Sequence, residues 1–254
     1  MRLTKYFLLI LILVLPLLVS PVSAQIPDEP TTSRTGEAEV PLDLPVTIVP
    51  QTDNHLNADW FESFDDITLL PVQGWVLVNM SSPVGVTGWF QGNETVFPAF
   101  EGAANSYIGT NFNNVAGSGT ISNWLLLPSQ TIKNGDVFTF YSRAADQVYP
   151  DRLEVRLSTN GASIDVGSDA FSTGDFSTLL LSINPDLLQD VYPEVWTQFT
   201  ITIEGLPRSY QGRLAFRYFV SAGGPLGSNS NYIGIDSVSY TEGPWHQFLP
   251  MVTR

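Results

Sequence analysis

From residue 59 onward, short apolar stretches alternate with polar residues at every second position. The segment LEVRLS (153–158) is the clearest case, because its apolar residues all fall on one side of an extended chain and its charged residues on the other. FTITI (199–203) and LAFRYFV (214–220) alternate in the same way. This period of two predicts β-strands that each bury one face.

Gly, Asn, Ser and Pro separate the apolar stretches, which is typical of turns between strands. Further strands are predicted over residues 74–78, 99–112, 120–127, 137–143, 178–183 and 232–240. SINPDLLQDVY (182–192) is the one place where a short helix is expected. About ten strands with long irregular connections predict an all-β fold, a two-sheet antiparallel jelly-roll β-sandwich.

The N-terminus has the pattern of an export signal. Arg2 and Lys5 precede an apolar run over 7–19, and the small-residue sequence Val-Ser-Ala ends at Ala24. A retained anchor is the alternative, but the run is shorter than the roughly 20 residues that a spanning helix needs. We therefore expect residues 1–24 to be a cleaved signal peptide, and the mature chain to be secreted or on the cell surface without a membrane span.

Residues 25–57 are rich in proline and carboxylates and have no sustained apolar period. They are predicted to form a disordered linker, with an added edge strand at 46–49 as the alternative. A single adhesin-like domain is predicted over 58–241, and a C-terminal tail over 242–254. The tail contains no recognisable sorting motif, so docking on the core and an unrecognised sorting or partner peptide both stay open.

The composition excludes several classes of partner. Lys and Arg number 11 against 25 Asp and Glu, which gives a formal net charge of −14. Nucleic acid is not expected, because phosphate binding needs a cationic surface. The chain has no cysteine and hence no disulfide, whereas its carboxylates are the ligands that calcium prefers. The expected partner is an extracellular glycan or protein surface.

The sequence offers little for catalysis. His55 and His246, the only histidines, fall in the linker and the tail, and there is neither a cysteine nucleophile nor a Gly-x-Ser-x-Gly elbow. A glycosidase needs only two carboxylates, which leaves four candidates: Glu62, Glu101, Asp136 and Glu154. We predict that the chain is not an enzyme.

A series of ordered landmarks runs through residues 59–240: Phe61-Glu62-Ser63-Phe64, Gly74-Trp75, Asn105-Ser106-Tyr107, the segment NWLLLP (123–128) and the closing Ile235-Asp236-Ser237-Val238. In this order they resemble the cleaved-adhesin, or choice-of-anchor J, domain. The same opening and close are similar to the wider MAM and galactose-binding-like jelly rolls. The resemblance implies a bacterial extracellular adhesin-like module that accompanies catalytic domains without being one.

Asp236 interrupts the strand-like segment YIGIDSVSY, and a carboxylate inside a strand needs a compensating charge or hydrogen bonds. In the resembling families a Glu near the first strand and an Asp in the last share a calcium ion, which carries over to Glu62 and Asp236. Asp65, Asp66 and Asn105 are further candidate oxygen donors. The alternative is that solvent or backbone N–H groups satisfy both carboxylates. The families often read Ile-Asp-Asp-Val where this chain has Ser237.

Trp89 lies in a polar stretch, where its indole could stack on a sugar ring beside the amides of Gln91 and Asn93. Core packing is the alternative. The glycine-rich loop 223–231 could form a ligand rim through Asn229 and Asn231, or be a flexible connection. The predicted function is therefore an adhesin-like binding module, with a carbohydrate-binding module and a structural cell-envelope protein as alternatives.

Overall fold

The computed structural model describes residues 59–145 and 148–244. Within them the chain forms thirteen β-strands and two short 3-10 turns, Ile67–Leu69 and Phe112–Asn114. The predicted signal peptide, the predicted linker (25–57), residue 58, both histidines and residues 245–254 lie outside the described residues. No helix in the described part of the chain is long and apolar enough to cross a membrane.

The strands follow one another along the chain with these bounds: β1 Trp60–Glu62, β2 Val76–Asn79, β3 Ser82–Val84, β4 Phe90–Gln91, β5 Ile108–Asn111, β6 Val115–Leu126, β7 Gln130–Ile132, β8 Val137–Ala144, β9 Leu153–Ser158, β10 Thr178–Ile183, β11 Thr197–Thr202, β12 Tyr210–Gly223 and β13 Tyr232–Thr241. They form two sheets. Sheet A has six strands in the order β11-β8-β13-β5-β4, with β1 also paired to β13. Sheet B has seven, in the order β10-β9-β12-β6-β2, with β3 on β6 and β7 on β12.

Neighbouring strands in both sheets pair antiparallel, and the connections between them are largely irregular. The structure thus confirms the predicted all-β, two-sheet antiparallel sandwich. The core lies between the sheets, where the apolar residues of β9 face those of β8 and β13. Phe140 and Phe216 meet there across the two sheets, with their ring centroids 4.8 Å apart.

A long loop covers the outer face of each sheet. Loop A (residues 92–107) lies on sheet A, where Phe97 stacks on Tyr107 and Phe100 stacks on Tyr141 of β8 at a centroid distance of 3.7 Å. Loop B (residues 159–177) lies on sheet B, where Phe176 packs against Trp124 of β6. Each sheet is therefore buried on both faces over part of its area.

Two predicted elements differ from the structure. The strand expected over 99–112 extends only over β5, because Phe100 and Glu101 donate their N–H groups to the carboxylate of Asp236 instead of to a neighbouring strand. The helix expected within 182–192 is absent from the described residues. β10 continues to residue 183, and Asn184 and Leu187 have left-handed φ values of 54° and 53°, which no α-helix accommodates.

Candidate functional site

A wholly buried carboxylate lies on the outer face of sheet A, beneath loop A. Asp236 of β13 is 0 % exposed. Its Oδ2 accepts hydrogen bonds from the N–H groups of Phe100 (2.8 Å) and Glu101 (3.2 Å), and its Oδ1 accepts from the N–H of Ser237 (2.6 Å). Burial raises the pKa of Asp236 to about 7, although these hydrogen bonds act to lower it. None of the ion pairs between described side chains involves Asp236.

The backbone around Asp236 is irregular. The pairing of β13 with β8 shifts register between Asp236 and Ser239, as in a β-bulge. Ser237 has φ 49°, and Phe64, just after the neighbouring strand β1, has φ 55°. Left-handed non-glycine residues are energetically costly and collect at binding and catalytic sites. These irregularities therefore mark the Asp236 region as a candidate site.

Glu62 lies on the strand next to Asp236. β1 pairs with β13 so that Glu62 is opposite Val238, two residues along the strand from Asp236. Its Oε1 accepts from the N–H of Phe64 at 2.7 Å. Burial raises the pKa of Glu62, and the nearby negative charge of Asp65 raises it further. The structure thus brings Glu62 and Asp65 together at the edge of β13.

Asp65 also adjoins loop A. The position that a Cβ atom on Gly102 would occupy lies 3.2 Å from Asp65 Oδ1. The neighbouring residue Glu101 carries a second loop A carboxylate, whose Oε2 is 3.5 Å from the Ser237 hydroxyl. Asp65 and Glu101 are therefore carboxylates close to the part of loop A that caps Asp236.

Gln91 ties these segments to one another. Its Nε2 donates to the backbone oxygens of Phe64 and Asn105 (2.7 Å each), and its Oε1 accepts from the N–H of Ile67 (3.1 Å). Asn105 is thereby placed next to the Glu62 segment. Asp66 has a local contact, since its Oδ1 accepts from the N–H and hydroxyl of Thr68 at the start of a 3-10 turn.

The carboxylates of Glu62 and Asp236 are too few to hold a calcium ion unless backbone or water oxygens complete its coordination shell. In the described ranges 59–145 and 148–244, no group of three or more His, Cys, Asp or Glu is arranged to hold a metal ion. Calcium takes about 6–8 oxygens, among them backbone carbonyls and water. A buried acid without a countercharge fits such an ion, and Glu62 and Asp236 are the carboxylates that would hold it.

The prediction of an exposed stacking platform at Trp89 is wrong. Trp89 is 6 % exposed and belongs to the core between the sheets. Trp89 immediately precedes β4 and its side chain points into the core. The next residue, Phe90, packs on the opposite side, against Phe97, Tyr107 and Tyr232. The indole Nε1 is buried and has no hydrogen-bond partner among the described residues. No indole face is open to a sugar at this position.

The asparagines predicted to bind ligand shape their own loops. Asn93 Oδ1 accepts from the N–H and hydroxyl of Thr95, and Asn229 Nδ2 donates to the backbone oxygen of Ser221 (2.8 Å). Asn231 donates its N–H to Asp151 Oδ1 at 2.8 Å, which anchors the end of loop 223–231. Ligand binding by these residues stays a prediction.

Two of the four candidate glycosidase carboxylates are held in ion pairs. Asp136 is paired with Lys133 Nζ at 3.0 Å, and Glu154 with Arg156 Nε at 2.6 Å. Glu154 also accepts from the buried Arg217 at 3.4 Å. This pairing was not predicted, because it depends on the register that places Arg217 of β12 opposite Glu154 of β9.

Phe171, a residue of loop B, is 69 % exposed and was not among the predicted ligand-binding residues. The other aromatic side chains on the exposed surface of the described chain are Tyr149 at 48 % and Phe61 at 39 %. The available signal was the position of Phe171 in the polar segment GSDAFSTGD (167–175). Phe171 is thus the most exposed aromatic ring in the described residues.

No protein-family profile and no curated protein matches this chain. Solved structures similar to it include the K1 cleaved adhesin domain of Lys-gingipain from Porphyromonas gingivalis W83, with 20 % identity, 72 % of this chain and 98 % of that chain covered, and a TM-score of 0.47. The K2 cleaved adhesin domain of Lys-gingipain has 18 % identity and a TM-score of 0.48, with 73 % of this chain and 100 % of that chain covered. A structure of carbohydrate-binding modules from the β-sandwich superfamily has 17 % identity and a TM-score of 0.44, with 73 % of this chain and 62 % of that chain covered. The structural neighbours are thus cleaved adhesin domains and carbohydrate-binding modules.

Proposed function

We propose that this chain is a secreted, non-catalytic binding module in which a calcium ion at Asp236 fastens loop A to sheet A. The observation that carries the proposal is a fully buried carboxylate with no ion pair in the described chain. Leaving a buried charge uncompensated is strongly destabilising. A bound cation supplies the missing charge and keeps Asp236 ionised.

Asp236 and Glu62 would hold the ion through their carboxylates, with Asp65 as a further donor. Backbone carbonyl and water oxygens would complete the shell, as is usual for calcium. The expected effect of the ion is to hold loop A more firmly on sheet A. Because Phe100 and Glu101 of loop A donate to the same carboxylate, an ion that keeps Asp236 charged also strengthens the attachment of the loop.

A non-catalytic role is supported by the state of two of the four candidate glycosidase carboxylates. Asp136 accepts from the N–H groups of Lys133 and Gly243 in addition to its ion pair, so its oxygens are fully engaged within the protein. Glu154 is engaged by two arginines. Ligand binding is the function that a rigid sandwich with structured surface loops supports best. An extracellular location follows from the predicted export signal.

The test is binding of the purified protein to arrays of glycans and matrix proteins, once with calcium and once with a chelator. We expect saturable binding in calcium that weakens in the chelator and in Asp236→Asn. Glu204→Gln is the matched control, because it also removes one carboxylate charge but from an exposed residue.

Binding that is equal in calcium and chelator would contradict the calcium part of the proposal. If the folded protein bound neither array and instead associated with itself or with cell-wall material, the structural cell-envelope alternative would replace the binding module.

A further inference from the structure

Loop B presents one aromatic ring to solvent on a rigid support. The carboxylate Oδ1 of Asp169 accepts from the N–H groups of Phe171 and Ser172, both at 2.8 Å. On the other side, Arg217 Nη2 donates to the backbone oxygens of Ala170 (2.7 Å) and Ser172 (3.3 Å). Arg217 is 1 % exposed, so a buried cation holds the backbone on both sides of Phe171. A ligand that stacks on this ring would not have to order the loop.

A hydrogen-bonding group packs on the same neighbouring ring as Phe171. Phe171 makes an edge contact with Phe219, with centroids 6.4 Å apart and planes at 90°. The guanidinium of Arg152 lies over the same Phe219 ring, at 4.3 Å from its centroid. Arg152 is partly exposed and donates from Nε to Phe219 and from Nη1 to Pro185. Its Nη2 has no hydrogen bond to a described residue, so this group is available to a ligand.

The surroundings of Phe171 decide between classes of ligand. Its chain neighbours are Ala170 and Ser172, and the tip also carries Asp169 and Thr173, so within the tip of loop B the ring stands alone among small and polar residues. Outside the tip it contacts the partly buried ring of Phe219. A protein interface generally has a contiguous apolar centre. A pyranose ring instead offers one apolar C–H face, which stacks on a single aromatic ring, and a rim of hydroxyl groups that accept from N–H donors.

We infer that Phe171 and Arg152 form a carbohydrate-binding site for a pyranose oligosaccharide, with Phe171 as the stacking face and Arg152 as a donor to ring hydroxyls. The inference rests on the proposed function, since it names the ligand class of that binding module. It moves the aromatic platform from Trp89, which is buried, to loop B.

The experiment is a titration of the full protein with a panel of neutral and acidic oligosaccharides, followed by isothermal calorimetry and by NMR line broadening of the sugar. We expect Phe171→Ala to weaken binding roughly tenfold or more. Ile164→Ala is the matched control, because Ile164 belongs to the same loop and is 55 % exposed. This variant should bind within about twofold of the wild type. Both variants should melt within a few degrees of it, which separates lost binding from lost folding.

Three results would overturn the inference. Equal binding by the wild type and Phe171→Ala would place the sugar elsewhere and leave the proposed function standing. Binding to matrix proteins but to no oligosaccharide would reject the ligand class and also leave the proposed function standing. Absence of binding to both, by a folded sample in calcium, would reject the inference and the binding module together.

Discussion

The outer faces of the two sheets both bury charge beneath a loop, but the charge is compensated differently on each sheet. On sheet B, Arg217 lies 3.4 Å from Glu154 and its guanidinium stacks over Phe219 (3.7 Å) and Trp124 (4.8 Å). On sheet A, the hydrogen-bond donors to Asp236 among the described residues are N–H groups and the Ser237 hydroxyl. Arg217 therefore has an oppositely charged partner on sheet B, whereas Asp236 has no ion pair within the part of the chain that the structure describes.

This difference affects the pKa values of Arg217 and Asp236. Burial lowers the pKa of Arg217 to about 10, and Glu154 partly offsets the shift, so the guanidinium stays charged at neutral pH. Burial raises the pKa of Asp236 to about 7, so without a cation this carboxyl is substantially protonated near neutrality. A loop held by an internal pair needs no external ligand, whereas one held by an unpaired acid depends on a proton or a metal ion.

The largest effect is expected at sheet B. Arg217→Met leaves the carbonyls of Ala170 and Ser172 without their donor and removes one of the two arginines on Glu154. We expect a loss of about 3–5 kcal/mol in the free energy of unfolding, measured with urea. Arg208→Met is the control, since Arg208 is exposed and only stacks on Tyr210. A loss below about 1 kcal/mol in Arg217→Met would show that loop B does not depend on this cation.

Another buried carboxyl group, that of Asp151, lies away from both loops and allows the effect of protons to be separated from the effect of a metal ion. Asp151 is 0 % exposed, its Oδ1 accepts from Tyr218 (2.5 Å) and Asn231 (2.8 Å), and its Oδ2 has no partner among the described residues. Burial raises its pKa to about 7, from the model-compound value of 3.8. The folded state thus holds a proton that the unfolded state has lost, so stability falls as the pH rises from about 4 to about 7.

Asp151→Asn should remove this part of the pH dependence, which amounts to at most about 4 kcal/mol. The measurement is urea unfolding between about pH 4.5 and pH 8 in saturating calcium, which suppresses the contribution of Asp236. The slope is the readout, because the new amide also lacks a partner and lowers stability at every pH. An unchanged slope would mean that Asp151 is not the group that titrates.

A smaller effect tests the packing of loop A on sheet A. A Cβ atom on Gly234 of β13 would lie 2.8 Å from Trp196 and 2.9 Å from Phe97 and Tyr107. Gly234→Ala should therefore displace these rings and lower stability by about 1–3 kcal/mol in urea unfolding. Gly88→Ala is the control, because nothing lies within 4 Å of the Cβ it would add. Equal stability of the two variants would mean that loop A is not packed against Gly234.

The sequence predicted features that depend on residues close along the chain, such as strand bounds. It did not predict features that depend on contacts between distant segments, such as the direction of a side chain or the contacts of a loop. The alternation in 153–158 predicted the bounds of β9, and the apolar stretch 178–183 predicted those of β10. The Asp inside YIGIDSVSY proved to be a buried carboxylate in β13. Trp89 was misjudged, because polar residues around it in the chain do not show which way its side chain points. The contact of Phe171 with Phe219 likewise depends on how loop B folds over sheet B.

Thermal unfolding of the wild type and Asp236→Asn, in calcium, in magnesium and in chelator, directly tests whether a calcium ion at Asp236 stabilises the fold. We expect calcium to stabilise the wild type by about 3–4 kcal/mol at 100 to 1,000 times the dissociation constant, and magnesium to stabilise it less. Asp236→Asn should show no calcium effect. A wild-type melting temperature that is the same in calcium and chelator, or an equal calcium effect in the variant, would contradict a stabilising calcium ion at Asp236.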